Sequence, residues 1–302
     1  MSTGKRDTAR RERMTVESLA RLKEVGQPVV MVTAYDYPSA QISDEVGVDV
    51  VLVGDSAANV VLGYDSTVPV TVEEMLVLTR AVRRGLQRPL LVADLPFGSY
   101  EASDETAVRT AQRFVKEAGA DAVKIERGGT SVDRARAIVQ AGIPVMGHVG
   151  LTPQAAVRHG GYRVQGRTAA QAEQLLRDAL ALQSAGCFAI VLEAVPAAVA
   201  ELLTPTLDCV TIGIGAGASV DGQVLVWHDL LGLTAGPVAR FVRKFADLRS
   251  DAVAGLAAYA GAVRQREFPA PEHTYGIDAD ELAVLRERLA NPDARSPVDG
   301  VR

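Results

Sequence analysis

Four segments of this chain share one pattern, in which a glycine is followed by a short apolar run that ends on a polar side chain. They are EVGVDVVLVGDS (45–56), EAGADAVKIERG (117–128), QAGIPVMGHVG (140–150) and SAGCFAIVLEA (184–194). Glycine suits the left-handed conformation that ends many helices, and an apolar run of this length is typical of a parallel strand buried on both faces. The pattern therefore predicts helices alternating with buried strands, and a charged group at the end of such a strand is where α/β proteins place their chemistry.

Apolar runs supply eight strand candidates in all, at 29–35, 49–54, 89–94, 121–126, 144–148, 187–193, 209–214 and 223–228. Helical patterns separate them. One runs from Ser103 to Ala118 and ends at Gly119, and another has Thr168 as its N-cap with Gln171 three residues on, which indicates a capping box. Eight such units predict an α/β fold, the (β/α)8 TIM barrel. A doubly wound open sheet is the alternative, because counting strands does not prove that the sheet closes.

The length of 302 residues fits one α/β barrel domain. We expect that domain to cover 14–290 and to include added C-terminal helices within 236–268 and 279–290. The end segments, 1–13 and 291–302, have the composition of disordered tails.

The composition argues against several classes of function. Lys and Arg number 32 against 37 Asp and Glu, and the net charge of −5 gives no broad basic surface for nucleic acid. The sequence has no run of 18 uncharged apolar residues and so predicts no membrane span. Its first residues lack the apolar core of a secretory signal. We therefore expect a cytoplasmic protein. Cys187 and Cys209 begin apolar runs, which indicates buried core residues in a reducing compartment.

The predicted strand ends carry many charged and polar side chains, which a barrel would bring together at one mouth. They are Asp36, Asp55, Ser56, Asp94, Lys124, Glu126, His148, Glu193, the glycine run 213–217, His228 and Asp229. An Asp or Ser in such a position commonly caps the following helix, and capping is the favoured interpretation of Asp36 and Asp229. Capping explains less of the whole set, because Glu126 and Glu193 are of a type that caps poorly.

Four acids stand in this set, Asp55, Asp94, Glu126 and Glu193, against the one positive charge of Lys124. Like charges in one cleft raise each other's pKa, so either an acid holds a proton or a cation binds there. Oxygen ligands without cysteine favour Mg²⁺ over zinc. Lys124 and Glu126 are two apart on a strand and face the same side, so the lysine can meet a substrate carboxylate while the acid faces the metal or its waters. A Schiff base between Lys124 and a carbonyl substrate is the alternative.

Two glycine-rich segments also belong to the predicted mouth. The connection at 151–168 is long and carries three arginines and a histidine, and loops of this kind are usually lids or binding loops. The run at 213–217 lacks the glycine spacing of a dinucleotide site. It indicates a loop of close backbone approach, with an ordinary backbone turn as an interpretation of equal weight.

Eight blocks, in order, resemble the signatures of the ketopantoate hydroxymethyltransferase family. They are TAYDYPSA (33–40), VGDSAANVVLGYDST (53–67), VADLPFGSY (92–100), AVKIERG (122–128), PVMGHVGLTPQ (144–154), GGYRVQGR (160–167), IVLEAVP (190–196) and TIGIGAG (211–217). The resemblance covers about residues 14 to 270. It implies a TIM barrel of the phosphoenolpyruvate mutase/isocitrate lyase type, Mg²⁺ as cofactor and a homodecamer.

The same resemblance implies an activity and a role for each site residue. The enzyme would transfer a hydroxymethyl group from 5,10-methylenetetrahydrofolate, a co-substrate, to 3-methyl-2-oxobutanoate through a magnesium-stabilised enolate, giving 2-dehydropantoate for pantothenate biosynthesis. By motif, Asp55 and Asp94 resemble the metal carboxylates, with Glu126 as a further ligand, directly or through a water, and Glu193 resembles the catalytic base. The substrate-binding positions would be Asp55, Ser56, Asp94, Lys124 and His148.

Two other functions remain open on the sequence. The first is a Mg²⁺-dependent carbon–carbon or carbon–phosphorus lyase acting on a 2-oxo acid. Such relatives generally use a cysteine in a catalytic loop, whereas Cys187 and Cys209 stand at the starts of predicted strands. The second is a barrel that binds a metabolite without catalysis. A metal pair together with a separate base candidate disfavours this second alternative.

Overall fold

The computed structural model describes residues 12–154 and 164–291. Most of the predicted tails, 1–13 and 291–302, and residues 155–163 of the predicted lid lie outside the described residues. The disorder of the tails and the closure of the lid therefore stay predictions. The chain forms two compact units, Met1–Leu248 and Arg249–Arg302, and the expected single domain over 14–290 stays a prediction as well.

Eight parallel strands close into a barrel in sequence order. They are β1 Val29–Thr33, β2 Val50–Val53, β3 Leu90–Asp94, β4 Ala122–Lys124, β5 Val145–Gly150, β6 Ala189–Glu193, β7 Val210–Ile214 and β8 Gly222–Leu225. The barrel closes where β1 pairs with β8, with Val29 opposite Gly222. This confirms the predicted TIM barrel and excludes the open sheet.

The first unit also contains α1 Val16–Glu24, α2 Tyr37–Val46, α3 Ala57–Val60, α4 Val72–Gly85, α5 Asp104–Ala118, α6 Thr130–Gln140, α7 Ala169–Ser184, α8 Ala197–Leu203 and α9 Trp227–Leu230. Two further helices follow, α10 Leu248–Gln265 and α11 Ala279–Ala290, and short 3₁₀ turns occur at Thr204–Thr206 and Pro271–His273. Within the described ranges, the search for a helix both long and apolar enough to cross a bilayer finds none.

Local signals place the predicted helix ends. Ser103 caps α5 by accepting a hydrogen bond from the amide of Thr106, and Gly119 ends it in the left-handed region at φ +73°. Thr168 caps α7 by accepting from the amide of Gln171. The Gln171 side chain accepts from the amide of Arg167 instead of completing the capping box.

Two sequence expectations about the C-terminal part of the barrel are wrong in detail. β8 ends at Leu225 rather than at 228, because the Trp227 amide donates to Thr33 Oγ1 at 2.8 Å and the chain turns into α9. The expected helix within 236–268 begins only at Leu248. The amides of Phe245 and of Leu248, the first residue of α10, donate to the carbonyls of Leu230 and Leu231 at the end of α9.

The strand residues divide between two apolar layers, which explains why the strands are apolar on both faces. In β2, Val50 and Leu52 belong to the cluster inside the barrel. Val51 and Val53 belong to the cluster between the strands and the surrounding helices. Leu19 of α1 packs into the inner cluster, and Lys23 donates to the carbonyls of residues 207 and 209, just before β7. The chain thus closes the end of the barrel where the strands begin, and leaves the opposite end for the site.

Candidate active site

Four of the predicted site residues face the inside of the barrel. Each lies two positions after an apolar strand residue that also faces inward. The inward series are Leu90–Val92–Asp94, Ala122–Lys124, Met146–His148 and Ala189–Val191–Glu193, in which the apolar members form the inner core. Because side chains alternate with period two along a strand, the local sequence alone directs these polar groups over the apolar interior at the carboxyl ends of the strands.

A cavity of about 180 Å³ lies at this end of the barrel. All seven predicted site residues line it: Asp55, Ser56, Asp94, Lys124, Glu126, His148 and Glu193. Its apolar wall includes Ile214, Val224, Val226, Phe241 and Val242. The structure therefore brings together side chains that are spread over almost 140 residues of sequence. It offers one small chamber with charged and polar groups on one side and an apolar wall on the other.

Lys124 is the cation at the centre of the acids. Its Nζ lies 2.9 Å from Asp94 Oδ1 and 3.8 Å from Glu126 Oε1, and all three side chains are at most 5% exposed. Burial acts to lower the pKa of Lys124, but the charges of Asp94, Glu126 and Asp55 outweigh it and raise that pKa above its ordinary value. These carboxylates favour the ammonium form of Lys124, which suits an ion pair better than a Schiff base.

The backbone of Asp55 contacts the side chain of Asp94. The amide of Asp55 donates to Asp94 Oδ2 at 3.0 Å. Burial raises the pKa of Asp55 well above its usual range, and the charges of Glu126 and Asp94 raise it further. Burial also raises the pKa of Asp94, although the ammonium of Lys124 opposes the shift. Asp55 is thus the acid whose negative charge is least compensated by this chain.

His148 lies between two carboxylates. Its Nε2 is 3.3 Å from Glu193 Oε2, and its Nδ1 is 3.3 Å from Glu126 Oε1 and 3.4 Å from Lys124 Nζ. Burial and Lys124 act to lower the pKa of His148, but Glu126 and Glu193 outweigh them and raise it to about 9. Nδ1 therefore carries a proton toward Glu126. Burial acts to raise the pKa of Glu126, yet His148 and Lys124 bring it below its ordinary value.

The donor set fits a partly hydrated Mg²⁺. In the described part of the chain, no group of three or more His, Cys, Asp or Glu side chains is arranged to hold a metal ion unaided. Mg²⁺, however, usually takes one or two carboxylates and completes its shell with waters and substrate oxygens. Asp94 Oδ1 and Glu126 Oε1 already have Lys124 Nζ and His148 Nδ1 at 2.9 and 3.3 Å. Among the described residues no basic side chain forms an ion pair with the buried Asp55, whose carboxylate accepts a hydrogen bond from Gln154, so Asp55 is the acid that most calls for a cation.

The structure also decides the two capping interpretations. Asp36 caps α2 by accepting from the amide of Ser39 at 2.8 Å, and it is not among the residues that line the cavity. Asp229 lies inside α9, accepts a hydrogen bond from Thr234 Oγ1 and lines the cavity. Capping is therefore confirmed for Asp36 and wrong for Asp229.

Three side chains that the sequence patterns did not single out complete the surroundings of the site. Tyr35 shares a hydrogen bond with Ser56, with 2.8 Å between the two oxygens. Gln154 and Tyr100 are buried and join the acids in one hydrogen-bonded network. The sequence signal for these three residues is that they stand in the blocks that resemble the family. None of them carries a charge that would single it out.

The glycine run 213–217 is a loop of close approach, as expected. At Gly215, whose φ is +67°, an added Cβ would lie 2.5 Å from Cδ1 of Phe241. Only glycine leaves room for that ring against the backbone. The ring in turn forms part of the apolar wall of the cavity.

Comparison with known proteins follows the same lines. The sequence model of the family described as Ketopantoate hydroxymethyltransferase matches residues 13–271. The 3-methyl-2-oxobutanoate hydroxymethyltransferase of Moorella thermoacetica is 55% identical over 267 residues, which are 88% of this chain and 99% of that protein. The enzyme of the same name from Carboxydothermus hydrogenoformans is 52% identical over 271 residues, 90% and 98% of the two chains.

Solved structures show the same barrel at lower identity. Phosphonopyruvate hydrolase in complex with oxalate and Mg²⁺ superposes with a TM-score of 0.56 at 14% identity, covering 93% of this chain and 99% of that one. The 2,3-dimethylmalate lyase, a member of the PEP mutase/isocitrate lyase superfamily, superposes with a TM-score of 0.54 at 16% identity, covering 91% and 98%. At these identities the likeness shows the fold alone, a closed barrel of eight parallel strands.

Proposed function

The chain belongs to the ketopantoate hydroxymethyltransferase family, and from this premise we propose that the cavity is where it transfers a hydroxymethyl group to 3-methyl-2-oxobutanoate. The donor would be 5,10-methylenetetrahydrofolate and the product 2-dehydropantoate, an intermediate on the way to pantothenate. The observation that carries the proposal is the convergence of seven predicted site residues on one cavity.

The oxo acid is a small anion with an isopropyl group, and the cavity offers a partner for each part. The ammonium of Lys124 and the hydroxyl of Ser56 would hold its carboxylate. Asp55, Asp94 and His148 would complete the polar side of its binding site. The apolar wall that includes Ile214, Val224 and Phe241 suits the isopropyl group, because burial of methyl groups there removes apolar surface from water.

Asp55 and Asp94 are the residues that would hold Mg²⁺, with Glu126 as a ligand directly or through a water. When bound there, Mg²⁺ would polarise the keto oxygen of the oxo acid and stabilise the negative charge that develops on it. The poorly compensated charge of Asp55 supports this assignment, because a cation beside Asp55 relieves the repulsion from its acidic neighbours.

Glu193 is the proposed base. It is more open to the cavity than the other acids, with a side chain 15% exposed, and His148 Nε2 lies 3.3 Å from its Oε2. A carboxylate held in this way can take the proton from C3 of the oxo acid. C3 then forms a bond to the methylene carbon of the folate, and the first of the two carbon–nitrogen bonds of that carbon breaks. Water supplies the hydroxyl as the second carbon–nitrogen bond breaks, and the proton from C3 and one from water end on the two nitrogens of the tetrahydrofolate that leaves.

The first test follows the C3 proton by NMR in deuterium oxide. Glu193→Gln should still bind the oxo acid in the presence of Mg²⁺ but lose the exchange of this proton. Glu201→Gln, on the exposed face of α8, is the matched control and should exchange like the wild type. Exchange at the wild-type rate in Glu193→Gln would show that another group is the base.

A second measurement separates the proposed function from its two alternatives. The wild type should form 2-dehydropantoate and tetrahydrofolate from the two substrates. Cleavage of a substituted 2-oxo acid without folate would favour a lyase, and binding without turnover would favour a metabolite-binding barrel.

We also propose that the protein is a homo-oligomer, the homodecamer that the resemblance implies. Every residue of α10 is exposed or half-buried, and the helix carries Leu256 and Tyr259 at 69% and 56% exposure. Exposed apolar groups of this size on one helix commonly mark an interface between copies. Light scattering measures the mass directly, and Leu256→Asp should lower it if this helix contributes. A monomeric wild type would refute the proposal.

A further inference from the structure

Gln154 lies beneath the acid cluster and uses each of its polar groups. It follows β5 by four residues and is only 3% exposed. Its side-chain amide donates to Asp55 Oδ2 at 3.0 Å and to the carbonyl of Leu95 at 3.1 Å. Its own backbone amide donates to Glu126 Oε2 at 3.1 Å. One residue therefore bonds to two of the three proposed metal carboxylates.

Tyr100 fixes the other end of that amide. Its hydroxyl donates to Gln154 Oε1 at 2.7 Å and accepts from the amide of Glu126 at 3.3 Å. The carbonyl of Leu95 can only accept a hydrogen bond, so Nε2 of Gln154 must point to it and Oε1 must point to Tyr100. The direction of every hydrogen bond from Glu126 through Tyr100 and Gln154 to Asp55 is thereby determined.

From this network we infer that Gln154, oriented by Tyr100, is a positioning residue that holds Asp55 and Glu126 in the arrangement required for Mg²⁺ and the oxo acid. The inference rests on the proposed function and deepens it. Gln154 bonds to Oδ2 of Asp55 and Oε2 of Glu126, which directs Oδ1 of Asp55 toward a ligand and Oε1 of Glu126 toward His148 and Lys124. Gln154 is not among the residues that line the cavity, so its effect on the reaction would pass through these two acids.

The geometry argues for positioning and against a purely structural amide. Gln183 shows what a structural amide does in this chain. Its Oε1 accepts from the amides of Asp208 and Cys209, at 2.7 and 3.0 Å, and so fixes the turn before β7. Gln154 instead donates hydrogen bonds from its side chain and its backbone to two carboxylates that line the cavity, those of Asp55 and Glu126. Partners of this kind, behind the residues that hold a metal, set the orientation of those residues.

The perturbation is Gln154→Met, which preserves length and flexibility but can donate no side-chain hydrogen bond. Loss of such a partner commonly weakens metal binding or activity by about 10- to 100-fold, and we expect a loss in this range for Mg²⁺-dependent binding of the oxo acid. Tyr100→Phe removes a single hydroxyl and should weaken binding in the same direction by a smaller factor. Gln183→Met, the same exchange at a half-buried amide away from the mouth, is the control.

The experiment is calorimetry of Mg²⁺ and of 3-methyl-2-oxobutanoate with full-length protein, together with thermal unfolding of each variant. Support for positioning is weaker binding in Gln154→Met and Tyr100→Phe than in Gln183→Met, at comparable Tm. If Gln154→Met does not fold, the comparison of Tyr100→Phe with the control decides in the same way. A lower Tm with binding equal to the wild type would overturn the inference, because it would mark a structural role.

The outcome also separates this inference from the proposed function. If the wild type binds the oxo acid with Mg²⁺ and exchanges its C3 proton while the Gln154 and Tyr100 variants match it, only the positioning role fails. If the wild type itself neither binds nor exchanges, the proposed function fails and the inference with it.

Discussion

Replacement of Lys124 by methionine tests whether its ammonium is what makes the buried acid cluster tolerable. Methionine keeps the buried apolar stem but removes the charge that lies 2.9 Å from Asp94 Oδ1. Asp94 and Glu126 would then remain in an interior position where their side chains are at most 3% exposed. A buried carboxylate without a counter-ion loses its hydration without replacement.

Removing one partner of a buried ion pair commonly costs about 3–5 kcal/mol in the free energy of unfolding. For a chain of this size that corresponds to a fall in Tm on the order of 10 °C. Asp94 can limit the loss by taking up a proton, since its pKa, which burial already raises against the opposing charge of Lys124, would rise further in the variant. A group with a raised folded pKa contributes less as the pH rises, so the deficit of Lys124→Met should grow with pH through the carboxylate range.

Denaturant unfolding of three variants measures the effect. Lys124→Met should lose stability, and the double variant Lys124→Met/Asp94→Asn should recover much of the loss, because the orphaned charge is gone. Arg113→Met is the control, since Arg113 also pairs with acids, Glu73 and Glu117, but with a side chain 41% exposed. Equal stability of Lys124→Met and Arg113→Met, or no recovery in the double variant, would refute the buried ion pair as the stabilising element.

Three further predictions concern other parts of the barrel. Gly215→Ala and Gly63→Ala both place a side chain at positive φ, which costs about 1–2 kcal/mol, but only at Gly215 would the new Cβ also meet the ring of Phe241; denaturant unfolding should show a larger loss there, and equal losses would mean that the ring moves freely. Burial raises the pKa of Cys187 to about 12, so iodoacetamide should label this thiol only after unfolding, and labelling of the native protein seen by mass spectrometry would contradict its burial. Asp94→Asn should weaken Mg²⁺ binding in calorimetry, and an unchanged affinity would remove Asp94 from the proposed ligands.

The sequence predicts the barrel well because its strands are determined locally. A parallel strand between an inner core and a layer of helices is apolar on both faces, so most of the eight strands appear as apolar runs, and four of these runs follow the glycine that ends a helix. The same local rule predicts the site residues. Four polar residues lie near the carboxyl ends of their strands, each two positions after an inward-facing apolar residue: Asp94, Lys124, His148 and Glu193. A correct strand assignment therefore also places these side chains at the mouth.

What the sequence did not predict depends on contacts between distant segments. Tyr100 and Gln154 are 54 residues apart, and neither carries a charge that a strand-end argument would notice. The segment before α10 has an amphipathic pattern that favours a helix. It does not form a helix, because Phe241 packs on Gly215 and the amide of Phe245 donates to the carbonyl of Leu230 at the end of α9. Tertiary packing decides such cases over local propensity.

Electrostatics within the cavity give a reason for the metal that is independent of resemblance. On the sequence alone, Lys124 is the one cation beside four carboxylates. The structure adds a second cation, because the pKa of His148 is raised to about 9 and its ring is protonated at neutral pH. When they are ionised, these four carboxylates outnumber the two cations, and Asp229 also lines the cavity, so a divalent cation would reduce the excess of negative charge. An anionic oxo acid would meet a more negative chamber before the metal binds than afterwards. We therefore expect oxo-acid affinity, measured by calorimetry, to rise steeply with Mg²⁺ concentration, whereas equal affinity with and without Mg²⁺ would show that Lys124 alone attracts the substrate.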